Sequence, residues 1–138
     1  MELAKGCDYA IRGLLYLAQR PDPFEPVLLR EIAQQAKAPE AFMSKVFQGL
    51  RASRIVRSHR GRARGYSLAR PPDEISLYDV IVAMQGHAAL LSVHPSPDAK
   101  DVERAFQEAW KRIEQQIVDS LKGNTLQSML HSVAEGST

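Results

Sequence analysis

Leu3, Cys7, Ile11, Leu14 and Leu17 recur at steps of three and four along ELAKGCDYAIRGLLYLAQR, which predicts a helix with one apolar face. The run PDPFEP, with three prolines in six residues, breaks it. VLLREIAQQA then places Leu29, Ile32, Ala33 and Ala36 on one side of a short helix, and KAP makes a tight connection. The next stretch, 39–52, opens with Pro39 at the first helical position. Its Phe42, Met43, Val46, Phe47 and Leu50 form the buried face. Two short helices joined by about three residues make a helix-turn-helix pattern.

The period then changes. RIVRS reads as a strand, GRARG as a turn with glycine at both ends, and YSLA as the return strand with Tyr66 and Leu68 on one face. A hairpin directly after a helix-turn-helix predicts a winged helix, closed by Pro71 and Pro72. SLYDVIVAMQG returns to helical spacing with Leu77, Val80, Ile81 and Met84 inward; Ser76 caps it and Asp79 completes a capping box. Residues 86–96 read as a linker.

The longest helical pattern covers 97–122, capped by Ser96 with Pro97 at its first position. Val102, Phe106, Ala109, Trp110, Ile113, Ile117 and Leu121 form a stripe along it. The small core of residues 1–85 leaves that stripe without a partner, and a second copy of the chain is the simplest one. Val102, Phe106, Trp110, Ile113 and Ile117 are therefore the expected dimerisation residues. TLQSML adds a short turn that folds back, and AEGST is expected to fray. The organisation is a mainly α fold: a winged helix-turn-helix in 1–85, a loop in 86–96, and a dimerisation helix with its tail in 97–138.

Charge changes the picture more than length does. The 138 residues carry a net +2, but residues 1–71 hold +7 and residues 72–138 hold −5. Such asymmetry suggests a nucleic-acid-binding module joined to something else. Six arginines and no acid lie between Ser53 and Pro72. No apolar run reaches the roughly 18 residues of a membrane span, and the N-terminus lacks a secretory pattern, so a cytoplasmic protein is expected.

The hairpin arginines suit phosphate and minor-groove contact, because guanidinium is a planar, always-charged fork of donors. Arg62 and Arg64 stand at the tip; Arg54 and Arg57, on or before the first strand, offer a partner for a carboxylate. Opposite its apolar side, helix 39–52 shows Glu40, Ala41, Ser44, Lys45 and Gln48, short or polar groups able to reach base edges. His59, His87, His94 and His131 show no paired zinc spacing, and Cys7, the lone cysteine, lies on an apolar face where a buried thiol is the default. No phosphate loop, nucleophile elbow or HExxH is present, and no enzyme activity, metal or cofactor is expected.

Three stretches, KGCDYAIRGLLYLA, LREIAQQAKAPEAFMSKVFQGLRASRIVRSHRG and GYSLARPPDEISLYDVIVAMQG, resemble the Rrf-two family of bacterial winged-helix regulators. The run Ser67 to Pro72 with Glu74, Ile75, Leu77 and Asp79 to Ile81 is the most specific part. The resemblance implies a homodimer on a pseudo-palindromic DNA operator, usually as a repressor, with the long helix carrying the dimer. It implies major-groove roles around Pro39, Ala41, Phe42, Ser44 and Lys45, and a minor-groove role for Arg60 at the base of the wing.

Two departures from the family pattern stand out. The glycine-rich wing tip is replaced by GRARGY, Gly61 to Tyr66, which is stiffer and more basic. The three cysteines that hold an iron–sulfur cluster in some members are absent, Gln107 stands at the position of a histidine ligand, and Arg12 rather than histidine accompanies Asp8. Clusters are held by thiolates, so a cluster-free regulator is expected, responding to a metabolite, a partner protein or Cys7 oxidation. The competing readings are a winged-helix module that docks an acidic protein, and an RNA-binding winged helix. The small, polar face of helix 39–52 favours duplex DNA, since the RNA major groove is too deep and narrow to read.

Overall fold

The computed structural model describes residues 3–86, 98 and 100–136. In chain order these form α1 (Lys5–Gln19), α2 (Leu29–Ala36), α3 (Glu40–Ala52), β1 (Val56–His59), β2 (Gly65–Leu68), a 3-10 turn (Pro72–Glu74), α4 (Leu77–Gln85), α5 (Asp101–Gly123) and α6 (Leu126–Gly136).

The core is built where the apolar spacings converge. Leu14 and Leu17 of α1, Ile32 of α2, Met43, Phe47 and Leu50 of α3, and Ile55, Leu68 and Ile75 are all fully enclosed. Gly13 lets α1 approach closely: a Cβ there would lie 2.9 Å from the Met43 methyl and 3.1 Å from Ile32 and Phe47. The turn between α2 and α3 is held by Lys37 in the left-handed region (φ 54°), whose N–H closes α2, and by Ala38 N–H donating to the Ala33 carbonyl at 3.0 Å. Arg12 of α1 donates to the Ala36 carbonyl at 2.7 Å, supplying one of the partners that a helix C-terminus lacks.

β1 and β2 pair antiparallel with Val56 opposite Leu68 and His59 opposite Gly65. The 20–28 loop extends this ribbon. Val27 and Tyr66 exchange backbone bonds of 2.9 and 2.8 Å, and Leu68 N–H reaches the Pro23 carbonyl at 3.0 Å. Tyr66 also sets its ring edge on Phe47, 5.2 Å between centroids. The wing is thus fixed to α3 and to the loop after α1.

Ser76 caps α4, and both bonds of the capping box with Asp79 are present. The chain returns to this point after α5: Leu77 N–H donates to the Asn124 carbonyl at 2.8 Å and Leu126 N–H to the Ile75 carbonyl at 2.9 Å. Leu126 is fully buried in the main core.

Four expectations are corrected. Pro39 is the N-cap of α3, and the helix begins at Glu40; an extended ψ of 133° leaves proline just outside. α5 begins at Asp101 with Lys100 as N-cap, and Asp101 and Glu103 sit in the first turn where the helix dipole favours acids; the expected cap and start, Ser96 and Pro97, lie outside the described residues, as do His87 and His94. The final turn is an eleven-residue helix that takes in Ala134, Glu135 and Gly136 of the stretch expected to fray, whose Ser137 and Thr138 lie outside the described residues. Neither Arg54 nor Arg57 pairs with an acid among the described residues; Arg70 does, lying 3.8 Å from Asp79.

Candidate nucleic-acid interface

The side of α3 away from the core carries the residues expected to read bases. Ala41, Lys45 and Gln48 are exposed and Ser44 is half-buried. Gln48 Nε2 donates to Ser44 Oγ at 3.4 Å, so the two polar groups share one turn. Phe42 points differently: it packs its ring edge on Tyr9 of α1, 5.5 Å between centroids, and is half-buried against the core. Pro39 is exposed at the start of the helix.

Arg60, Arg62 and Arg64 are exposed on the turn between β1 and β2. Gly61 (φ 87°) and Gly65 (φ 130°) supply the left-handed backbone that lets the turn close. A groove of about 360 Å³ joins the two regions, lined by Arg30 of α2, Glu40 of α3, and Ser58, His59 and Arg64 of the wing. His59 Nε2 lies 2.8 Å from Ser67 Oγ, tying the strands together across their register. Arg30 sits 3.9 Å from Glu40, both exposed, so this acid is partly countered at the mouth of the groove.

Sequence reasoning missed the anchor of this surface. The Val27–Tyr66 pairing is backbone chemistry between distant residues and leaves no side-chain signature. The close fit of Gly65 is the one legible trace: a Cβ there would lie 2.1 Å from the Val27 carbonyl oxygen.

At the other end of the chain, α5 turns an apolar stripe outward. Val102 is 83%, Phe106 60% and Ile113 44% exposed. Trp110 and Ile117 are half-buried, and Phe106 and Trp110 stack at 6.3 Å. Among the described residues α5 meets the body through buried Val118 and through Leu121, which packs against Cys7 and Ile81.

A helix-turn-helix with a basic hairpin and a recognition helix whose outer face is polar defines a winged-helix, DNA-binding transcriptional regulator. Residues 3–132 match the Rrf2 family model, described as an iron-dependent transcriptional regulator, and the chain belongs to that family. The HTH-type transcriptional regulator CymR of Bacillus subtilis is 31% identical over 129 residues, spanning 94% of this chain and 89% of its own length. The solved structure of that global cysteine regulator superposes with a TM-score of 0.77 at 26% identity, covering 94% of this chain and 95% of its own. IscR of T. potens superposes at 0.75 with 26% identity, covering all of this chain and 92% of its own. These relatives are regulators and not enzymes. Among the described residues no helix is long and apolar enough to cross a membrane.

The family description names iron, and the residues of this chain do not fit an iron–sulfur cluster. Cys7 is the one thiol in the sequence. It is fully buried, burial pushes its pKa up, and its Sγ–H donates to Gln85 Oε1 at 3.1 Å. A buried thiol held protonated is a poor cluster ligand. Asp8 is committed to Arg12 at 2.5 Å, and Arg12 spans on to α2, so this pair serves the fold.

Proposed function

We propose that the chain is a cluster-free repressor that binds a pseudo-palindromic duplex operator as a homodimer. Residues 1–85 read the DNA, and α5 joins two copies through Val102, Phe106, Trp110, Ile113 and Ile117. The groove shared by α2, α3 and the wing carries the reading. It brings the start of α3, at Glu40, beside the Arg64 flank of the hairpin, an arrangement that suits a helix in one groove and a basic turn on the neighbouring backbone. Ser44 and Lys45 face base edges, Gln48 joins them or meets a phosphate, Arg60 enters the minor groove, and Arg62 and Arg64 hold phosphates. Pro39 and Ala41 bring the start of α3 close to the backbone, while Phe42 sets the helix angle against Tyr9. The exposed Val102, Phe106 and Ile113 of α5 support the dimer, since large apolar side chains grouped on one helix face are seldom left in water.

Selection from random duplex DNA tests this reading. An inverted repeat is the expected product; no enrichment would instead favour a module that docks an acidic protein. Ser44→Glu, which puts a carboxylate near bases and phosphates, should change which sites are recovered. An unchanged preference would show that α3 is not the reader.

A further inference from the structure

A second basic feature lies apart from the α3 face and the wing tip. A recess of about 520 Å³ opens between the end of α3, β1 and the segment after β2, lined by Arg51, Arg54, Arg57 and Arg70 with Val56 and Ser58. Arg51, Arg54 and Arg57 have no acidic partner among the described residues, and only Arg70 meets one, Asp79. The Nε–H of Arg70 is buried and makes no hydrogen bond. Arg54 adopts φ 60°, one of two non-glycine residues in the left-handed region among the described residues. Glycine fits that conformation best. An arginine held there, beside three others, adds like charge to a concave wall at a cost in backbone strain.

We propose that this recess binds a compact, multiply charged phosphate-bearing small molecule. Its volume lies within the range of about 300–1,000 Å³ for small-molecule sites. The guanidinium groups of Arg51, Arg54 and Arg57 offer paired donors that match phosphate oxygens, and concave walls concentrate their field. Arg70 adds a fourth positive charge to the wall, its guanidinium held by the Glu74 carbonyl at 3.3 Å and by Asp79. A DNA backbone would contribute the same chemistry, but the recess lies off the reading face of α3 and off the wing tip, which favours a separate compact anion. The site is independent of the operator reading, because it uses neither the α3 face nor Arg60.

Calorimetric titration of the intact chain with inorganic pyrophosphate, at constant ionic strength and without DNA, tests it. Saturable binding of one pyrophosphate per chain is expected. Arg54→Gly combined with Arg57→Ala should weaken it by about tenfold or more, since contacts to charged groups are lost. Arg54→Gly alone suits the backbone at 54 and should weaken binding while leaving the circular dichroism spectrum unchanged. Arg62→Ala at the wing tip should bind as the parent chain does. Absence of saturation, an unchanged double variant, or an equal loss in Arg62→Ala would overturn the site. So would a double variant that loses only duplex affinity while the parent ignores pyrophosphate, which would assign the recess to the DNA backbone. Operator selection with the double variant reads the α3 proposal separately.

Discussion

Val27 and Tyr66 exchange both of their backbone hydrogen bonds, at 2.9 and 2.8 Å, and so tie the loop after α1 to the second strand of the wing. Gly65, beside Tyr66, makes room for this pairing with φ 130° and no Cβ. Gly65→Ala would drive a methyl into the Val27 carbonyl and into a conformation that L-residues rarely adopt. The expected cost is about 1–3 kcal/mol of stability, and the released wing should weaken DNA binding as well. Chemical denaturation and operator titration measure the two effects. An unchanged midpoint would mean that the loop yields freely and does not anchor the wing.

The exposed stripe of α5 yields a prediction about assembly. Ile113 is 44% exposed in the single chain, one turn from Trp110. Ile113→Asp would place a carboxylate in the proposed seam, at a cost of about 3 kcal/mol or more if it is buried unpaired. Sedimentation should then show monomers, and affinity for a two-half-site operator should fall because each copy binds alone. An intact dimer would refute the assignment.

The parts of the fold that rest on local periodicity were legible. The buried faces of α2 and α3 follow from Ile32, Ala33, Ala36, Met43, Val46, Phe47 and Leu50 at helical spacing, and the Ser76–Asp79 box marked the start of α4. Boundaries set by longer-range bonds were not. α6 is a full helix because Leu126 is drawn into a core built by residues far earlier in the chain, and Leu126 N–H finds the Ile75 carbonyl. The polar candidates on α3 were visible as the complement of its apolar face. The arginine recess was not, because Arg51, Arg54, Arg57 and Arg70 meet only after the hairpin folds.

Cys7 should be chemically quiet. Burial raises its thiol pKa, so the protonated form is favoured in the folded chain. A raised folded pKa gives stability that is fully present below the unfolded thiol value of about 8.5 and is lost as pH rises through the folded value. Alkylation at pH 8 should therefore run more than about tenfold slower than in denaturant. Cys7→Ser should leave operator binding nearly unchanged in reducing and oxidising buffer. Loss of binding on oxidation, confined to the parent chain, would revive a thiol switch. Anaerobically purified protein should carry no stoichiometric iron or acid-labile sulfide, and a visible absorbance band with iron would reverse the cluster-free reading.

The wing arginines should divide into two kinds. Arg60 precedes Gly61 at the first residue of the turn, whereas Arg62 and Arg64 stand at its tip, all three exposed. A guanidinium inserted into a narrow minor groove senses groove width, and width depends on sequence. Arg60→Ala should therefore cost roughly 1–3 kcal/mol on the operator and relax the preference for A·T pairs at its flanks. Phosphates carry no sequence information, so Arg62→Ala and Arg64→Ala should each weaken operator and scrambled duplex about equally, and each should lower the salt slope by about one. Titrations of all three variants across a salt series, on both duplexes, separate the classes. If Arg60→Ala loses affinity as uniformly as the tip variants, the wing grips only the backbone, and base preference at the flanks must come from elsewhere on the protein.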